Sequence, residues 1–480
     1  MIEKVSHTYN IKRAVLYAIL IYLAVVIVSL KNAPHYAPFV ALVIVLLPLF
    51  AILVINYSHV AILCYICFLP IIQHFSYISI LEFGKFLVTP HMVVQFLLTL
   101  SFVIKALKDY QKKEIQGINI LDKQIISFGS FSLLSLIYSY GLPVDQEKKW
   151  LLFYTGIIEP ISFYFIVTYY LKKFSEFKKQ LILAFLFTSF TSLVVAFSEF
   201  NHIGYNLVKI FLSRMHFGYG YHNINLFGIQ SAVLFPVAFY AMVSEEFRKY
   251  RAYAYSSFVV LTVLSILCFN RGTFIVMTIQ LFFMFFNKSN RKIIYVFLII
   301  AIIIGVYFND LVAMYFTRFI GGKGATSNNP LLDASALYRL EAWKLGFNLL
   351  WQYPFGVGPG GFQMAWARYG PYPNVYMGTP HHLFLSIGVD YGLLALIVFI
   401  SLLLSAYQYL KGMVNVERED SQLIKLILIS IIGFVIYGAI TDGELSHLTG
   451  FTYPNNGYTL IFFSVIALAS NIINKYKANG

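Results

Sequence analysis

Charge is what this chain has least of. Only 12% of its 480 residues are Asp, Glu, Lys or Arg, against 59% hydrophobic ones, and its mean hydropathy is +0.73. A soluble fold needs roughly a quarter of its residues charged, so that class is excluded. Acids are scarcer than bases, 21 against 35. The resulting net charge of +14 would suit nucleic acid in a soluble protein. In so apolar a chain it is instead a bias between membrane faces, and no nucleic-acid partner is expected. Cysteine is nearly absent. Cys64, Cys67 and Cys268 all fall in apolar runs, and the C-x-x-C pair lacks the further ligands of a metal site, which leaves packing as its role. A phosphate-binding loop is missing too, because Gly321-Gly322-Lys323-Gly324 has neither Walker spacing nor the following Ser/Thr. No small-residue cleavage site follows the first apolar run, so that run is expected to stay as an anchor.

What the chain does have is length in its apolar runs. Each needs about 17–25 residues to cross ~30 Å of hydrocarbon as a helix, and inside lipid the helix is the element that satisfies its own backbone. The expected spans are 14–30, 38–56, 60–80, 89–106, 125–141, 150–171, 181–199, 224–243, 254–269, 273–287, 293–308, 383–405, 424–440 and 457–473. This is an all-α polytopic membrane protein with about 14 (12–14) transmembrane helices. Three regions follow: residues 1–308 with the first eleven helices, 309–382 as one large outer loop, and 383–480 with the last three helices and a tail.

Charge sets the orientation. With the amino terminus in the cytoplasm, most of the 35 Lys and Arg residues fall on the cytoplasmic side, and the short outer loops are nearly free of cations. Both termini are then cytoplasmic. Loop 309–382 is the exception, carrying Arg318, Lys323, Arg339, Lys344 and Arg368. Long loops in a compact chain are functional or disordered, and this one is too rich in Trp, Tyr, Phe and Gly for disorder.

Three features meet on the outer face. Asn270-Arg271-Gly272 is a tight turn between two apolar runs. Its arginine is either a snorkelling anchor or a functional cation, and the charge bias favours function. Tyr338-Arg339-Leu340-Glu341-Ala342-Trp343 opens a segment ending at Trp351, before Tyr353-Pro354. Leu340, Trp343, Phe347, Leu350 and Trp351 recur at helical spacing, as in an amphipathic helix along the outer interface. Arg339 there could simply pair with a nearby acid, Asp333, Glu341, Asp442 or Glu444. The third feature is His381-His382, directly before an apolar run, where a histidine often serves only as a cap. Taken together, two arginines can clamp phosphate oxygens and one histidine can accept a proton near neutral pH. That combination suits glycosyl transfer from a lipid-linked diphosphate.

These residues resemble the O-antigen ligase and polymerase superfamily. His381, Leu385, Asp390 and Gly392 follow the pattern H-x3-L-x4-D-x-G. His382 stands where that family usually has a small amide residue, which leaves both histidines as candidates, while the offsets favour His381. Arg271 with Ile275 is similar to the family's arginine-x3-leucine element. The block Arg339 to Trp343 followed by Tyr353 to Phe362 resembles the block before its histidine. Gly218 to Asn225, with Arg214 just before, resembles its glycine- and asparagine-containing helix start. The likeness covers roughly residues 210–405. It implies inverting, metal-independent and cofactor-free transfer of a glycan from undecaprenyl diphosphate, at the periplasmic face of a bacterial inner membrane. The acceptor would be a lipid of the lipid A-core type, or the growing glycan in a polymerase. By that resemblance His381, Arg271 and Arg339 are catalytic, and Arg214, His382, Asn225, Tyr338 and Trp343 bind substrate. The implied partners are the undecaprenyl-diphosphate-linked glycan, a lipid or glycan acceptor, and membrane lipids.

A different class, a polysaccharide-lipid transporter or flippase, would concentrate polar groups near the bilayer midplane with two-half symmetry. Here the polar cluster is at a rim, and the halves do not resemble each other. Glu159-Pro160 is the intramembrane exception. Such a carboxylate is a functional candidate, but a protonated acid bonding the carbonyls freed by the proline accounts for it better. Asp390 is out of phase with His381 on one helix, so a direct pair is not expected. Gly356 to Gly361 read as a flexible turn packing the loop onto the membrane helices.

Overall fold

The computed structural model describes residues 50–479 except 75–80, 84–85, 112–117, 140–145, 202–203, 206–208, 211–217, 222, 286–294, 296–324, 327–328, 373–376, 415–419, 442–444, 446 and 450–452. The expected span 14–30, most of 38–56 and nearly all of 293–308 lie outside the described residues. The remaining eleven fall on helices. In chain order these and the other helices are α1 Ser58–His74, α2 Pro90–Gln111, α3 Ile120–Tyr138, α4 Gln146–Phe153, α5 Glu159–Lys173, α6 Phe177–Asn201, α7 Ile224–Val243, α8 Arg251–Leu267, α9 Arg271–Phe285, α10 Ala334–Gln352, α11 Gly361–Tyr369, α12 Leu383–Tyr391, α13 Leu393–Met413, α14 Ser421–Ile440 and α15 Gly457–Asn479. The protein is an all-α polytopic membrane protein. Among the described residues nine helical segments are long and apolar enough to cross a membrane, and α1 and α9 are shorter apolar helices. The strands are small antiparallel hairpins, such as Leu81–Phe83 with Phe86–Val88. The chain forms two compact units, Met1–Tyr65 with Phe75–Gln116, and Ile66–His74 with Gly117–Gly480. Everything that follows lies in the second.

At the centre of that unit is α7. It is apolar on every side, and 94% of its spanning window is buried. A helix without a polar face belongs inside a bundle, and α6, α8, α9, α14 and α15 surround it. Lipid tails offer no hydrophobic drive between spans, so close packing and interhelical hydrogen bonds hold them. Gln280 of α9 donates to Ala232 O at 2.6 Å and Ile429 O at 3.3 Å. Ser430 of α14 donates to Val233 O at 2.9 Å. These bonds lock α7, α9 and α14 together at mid-height.

Two expectations are corrected in detail. The span expected over 383–405 is two helices, broken at Gly392, whose φ is +93°. A Cβ there would lie 2.7 Å from the Phe355 carbonyl carbon. The loop after α10 is stitched across the break: Leu393 N donates to Pro354 O at 2.7 Å, and Val357 N to Val389 O at 2.8 Å. That loop is a shaped turn rather than a flexible one, because Gly356, Gly358 and Gly360 all hold positive φ, a region favouring glycine. It does pack onto the spans, with Phe355 stacked 4.2 Å from Tyr138.

The second correction concerns Glu159. A π-turn over Tyr154–Ile158 joins α4 to α5. In that i to i+5 pattern the carbonyl of Thr155 would need the N–H that Pro160 lacks. Asn456, not Glu159, supplies the donor: its Nδ2 lies 2.5 Å from Thr155 O and 2.6 Å from Glu159 Oε2. Glu159 thus shares the Asn456 amide with the Thr155 carbonyl.

Candidate functional site

The site is built on the last turn of α14, where a helix leaves carbonyls without intrahelical partners. Three other segments reach that turn through separate contacts. The first is the start of α9. Asn270 is its cap: Oδ1 accepts from Gly272 N at 2.8 Å and Thr273 N at 3.3 Å, which is why an Asn precedes the helix. Gly272 lies flat against α14, since a Cβ on it would overlap the Thr441 side chain. Arg271, between these two residues, is the first residue of α9 and is partly buried.

The second segment is α10. Arg339 Nη1 donates to Ile440 O at 3.4 Å, placing a cation at a helix C-terminus as the dipole favours. Arg339 does not pair with Glu341, whose carboxylate is 2.6 Å from Lys344 Nζ. Asp442 and Glu444 lie outside the described residues, as does Arg214. The stripe expected on α10 divides into two faces. Leu340, Phe347 and Trp351 point outward, Trp351 being 75% exposed, while Leu350 is buried. The inward face packs on α12: a Cβ on Gly346 would lie 2.7 Å from Leu385 Cδ2, and one on Gly388 2.9 Å from Leu350 Cδ1.

The third segment carries the histidines. Leu383 opens α12 against α14, where a Cβ on Gly438 would lie 2.8 Å from Leu383 Cβ. His382 is the N-cap, its Nδ1 accepting from Leu385 N at 3.3 Å. Its ring meets that of Trp343 edge to face at 5.5 Å, and burial pushes the imidazole below its ordinary pKa. Accepting through Nδ1 requires the neutral form with its proton on Nε2. His381 has no capping role. Its φ is +53°, and its backbone N donates to Thr379 Oγ1 at 3.1 Å.

The segments that carry Arg271, Arg339 and the histidine pair thus each touch Gly438–Thr441, through Gly272, Arg339 and Leu383 respectively. Asn225 joins them indirectly, accepting from Asn270 Nδ2. Tyr338 packs edge to face with Tyr372 at 5.0 Å, against the apolar core formed by Ala342, Leu349, Phe362, Trp366 and Val389. Sequence reasoning missed Asn270 as a connector and Tyr437, whose hydroxyl lies 3.1 Å from Asn270 Nδ2. The cap was readable from Asn-Arg-Gly at a helix start; nothing in the sequence marks Tyr437. It also missed Glu199, whose carboxylate accepts from Tyr219 N at 3.1 Å and Gly218 N at 3.3 Å, fixing the turn that leads into α7. Among the described residues no three His, Cys, Asp or Glu side chains are grouped to hold a metal ion.

A protein-family model described as O-antigen ligase matches residues 256–400. That segment runs from α8 through Arg271, Arg339 and both histidines into α13. No curated protein matches the chain.

Proposed function

From the premise that this chain belongs to the O-antigen ligase superfamily, we propose that it transfers a glycan from undecaprenyl diphosphate to an acceptor hydroxyl at the periplasmic face of the inner membrane, as an O-antigen ligase does with a lipid A-core type acceptor. One observation supports the reading: Arg339 and the residues next to Arg271 and His382, namely Gly272 and Leu383, all meet the last turn of α14. The acceptor oxygen attacks the anomeric carbon as its proton passes to His381. The bond from that carbon to the phosphate oxygen breaks with inversion, and the departing diphosphate keeps the electron pair. Arg271 and Arg339 hold the charge that builds on it, through planar forks suited to phosphate oxygens. His381 is favoured as the base because the ring nitrogen of His382 is already engaged in capping α12.

The test uses purified protein, an undecaprenyl-diphosphate glycan, and either a lipid A-core acceptor or a second glycan carrier. Product mass should show one glycan on the lipid acceptor. A glycan lengthened on its carrier would assign the polymerase reaction, which has the same donor chemistry. No transfer to either acceptor would overturn the reading.

A further inference from the structure

We propose that Asn270 and Tyr437 are positioning residues for Arg271, fixing where its guanidinium meets the diphosphate. The inference rests on the reading of Arg271 given above. Asn270 performs two separable tasks. Its Oδ1 caps α9, a local duty. Its Nδ2 donates to Asn225 Oδ1 on α7 and to the Tyr437 hydroxyl on α14, a bracket across three helices. Both side chains are buried, Asn270 being 6% and Tyr437 0% exposed.

The surroundings leave little room for adjustment. A Cβ on Gly228 of α7 would overlap the Tyr437 hydroxyl and Thr273 Oγ1, so the three helices meet at this level. Phe269, just before the cap, holds φ +49°, a conformation a phenylalanine keeps only where its surroundings impose it. A residue that only capped α9 would need neither donor bond. Because Arg271 follows Asn270 directly, the bracket sets the height and direction from which the arginine side chain starts. Loosening that bracket weakens the contact between the guanidinium and the diphosphate.

Asn270→Ser keeps a capping oxygen and deletes the amide donor. Tyr437→Phe keeps the ring and deletes the hydroxyl. Equilibrium binding of a short-chain polyprenyl diphosphate to the purified full chain is measured for each, alone and combined with Arg271→Ala. The matching prenyl alcohol serves as control. Each single variant is expected to weaken diphosphate binding about five- to tenfold, leave the alcohol unchanged, and add almost nothing on top of Arg271→Ala. Equal losses with and without Arg271, equal losses for diphosphate and alcohol, or no loss at all would overturn the proposal. Should Asn270→Ser fail to fold, Tyr437→Phe decides alone by the same outcomes. Wild-type binding by Arg271→Ala itself is a separate failure: it removes the diphosphate reading of Arg271, and the positioning role with it.

Discussion

The two ends of α14 both gather charge and treat it in opposite ways. At its start Asp420 is buried, and burial alone would raise its carboxyl pKa. Lys178 and Lys475 outweigh that and hold it below the ordinary value. Lys178 Nζ is 3.3 Å away, Lys475 Nζ 3.5 Å, and the Tyr476 hydroxyl donates at 3.1 Å. Lys178 also reaches Glu246 at 3.5 Å. At the other end Arg339 meets a backbone carbonyl, and no acid among the described residues lies within ion-pair distance of it. A cation matched by a carboxylate closes a structure. A cation matched only by a carbonyl dipole keeps a positive field that an anion can use. One helix therefore carries a cation set against carboxylates at one end and a cation set against a carbonyl at the other.

Substitutions at each end can break that contrast. The largest effect is expected at His381. Replacement by Ala should slow transfer about 10²–10⁴-fold, the usual worth of a positioned base, with melting temperature preserved; wild-type turnover would show that the base lies elsewhere. Next come Arg271→Ala and Arg339→Ala. Each should lose ~3–4 kcal/mol of transition-state stabilisation, several hundredfold in rate, while membrane insertion is unchanged. Full activity of either would erase the distinction between the ends. Asp420→Asn should do the reverse, lowering stability by about 1–3 kcal/mol and leaving the rate per folded molecule intact. A rate defect without a stability defect would make the Asp420 end functional too.

The smallest effect separates the ends by pH. The lowered His382 value means its contribution is complete above the free imidazole value of about 6.5 and is lost as pH falls through the folded value. Asp420, also lowered, contributes fully above about 3.9 and loses that only in stronger acid. Below about 6.5 the wild type should thus lose more thermal stability on acidification than His382→Asn, which keeps a capping side chain. Equal losses in the two would assign the effect to another group.

The spans were readable because hydrophobic length is a property of the chain itself. Expected span 224–243 coincides with α7, whose apolar faces all find partners. The break at Gly392 was not readable, since a glycine inside an apolar run looks like a packing residue until the loop that crosses it is known. The charged members of the site were legible because arginine and histidine stand out where lipid disfavours them. Their meeting point was not, because Gly438 and Thr441 are chemically plain. Ile440 contributes only a carbonyl, which every residue has. Similarly, Glu341 is nearer in sequence to Arg339 than to Lys344, yet its carboxylate pairs with Lys344 one helical turn on. The role of Asn456 as the donor to the freed Thr155 carbonyl depended on a contact between residues 301 apart in sequence.

The interruption at Gly392 also bears on the lipid environment. Spans lean over or straighten as bilayers thin or thicken, and the protein itself covers little of α13, with only 39% of its spanning window buried. His381 and His382 are not on that span. They sit beyond the glycine, at and just before the N-cap of α12, a short helix packed on α10 and α14. The break at Gly392 thus separates the helix that follows the histidines from the span α13, and packs it on α10 and α14 instead.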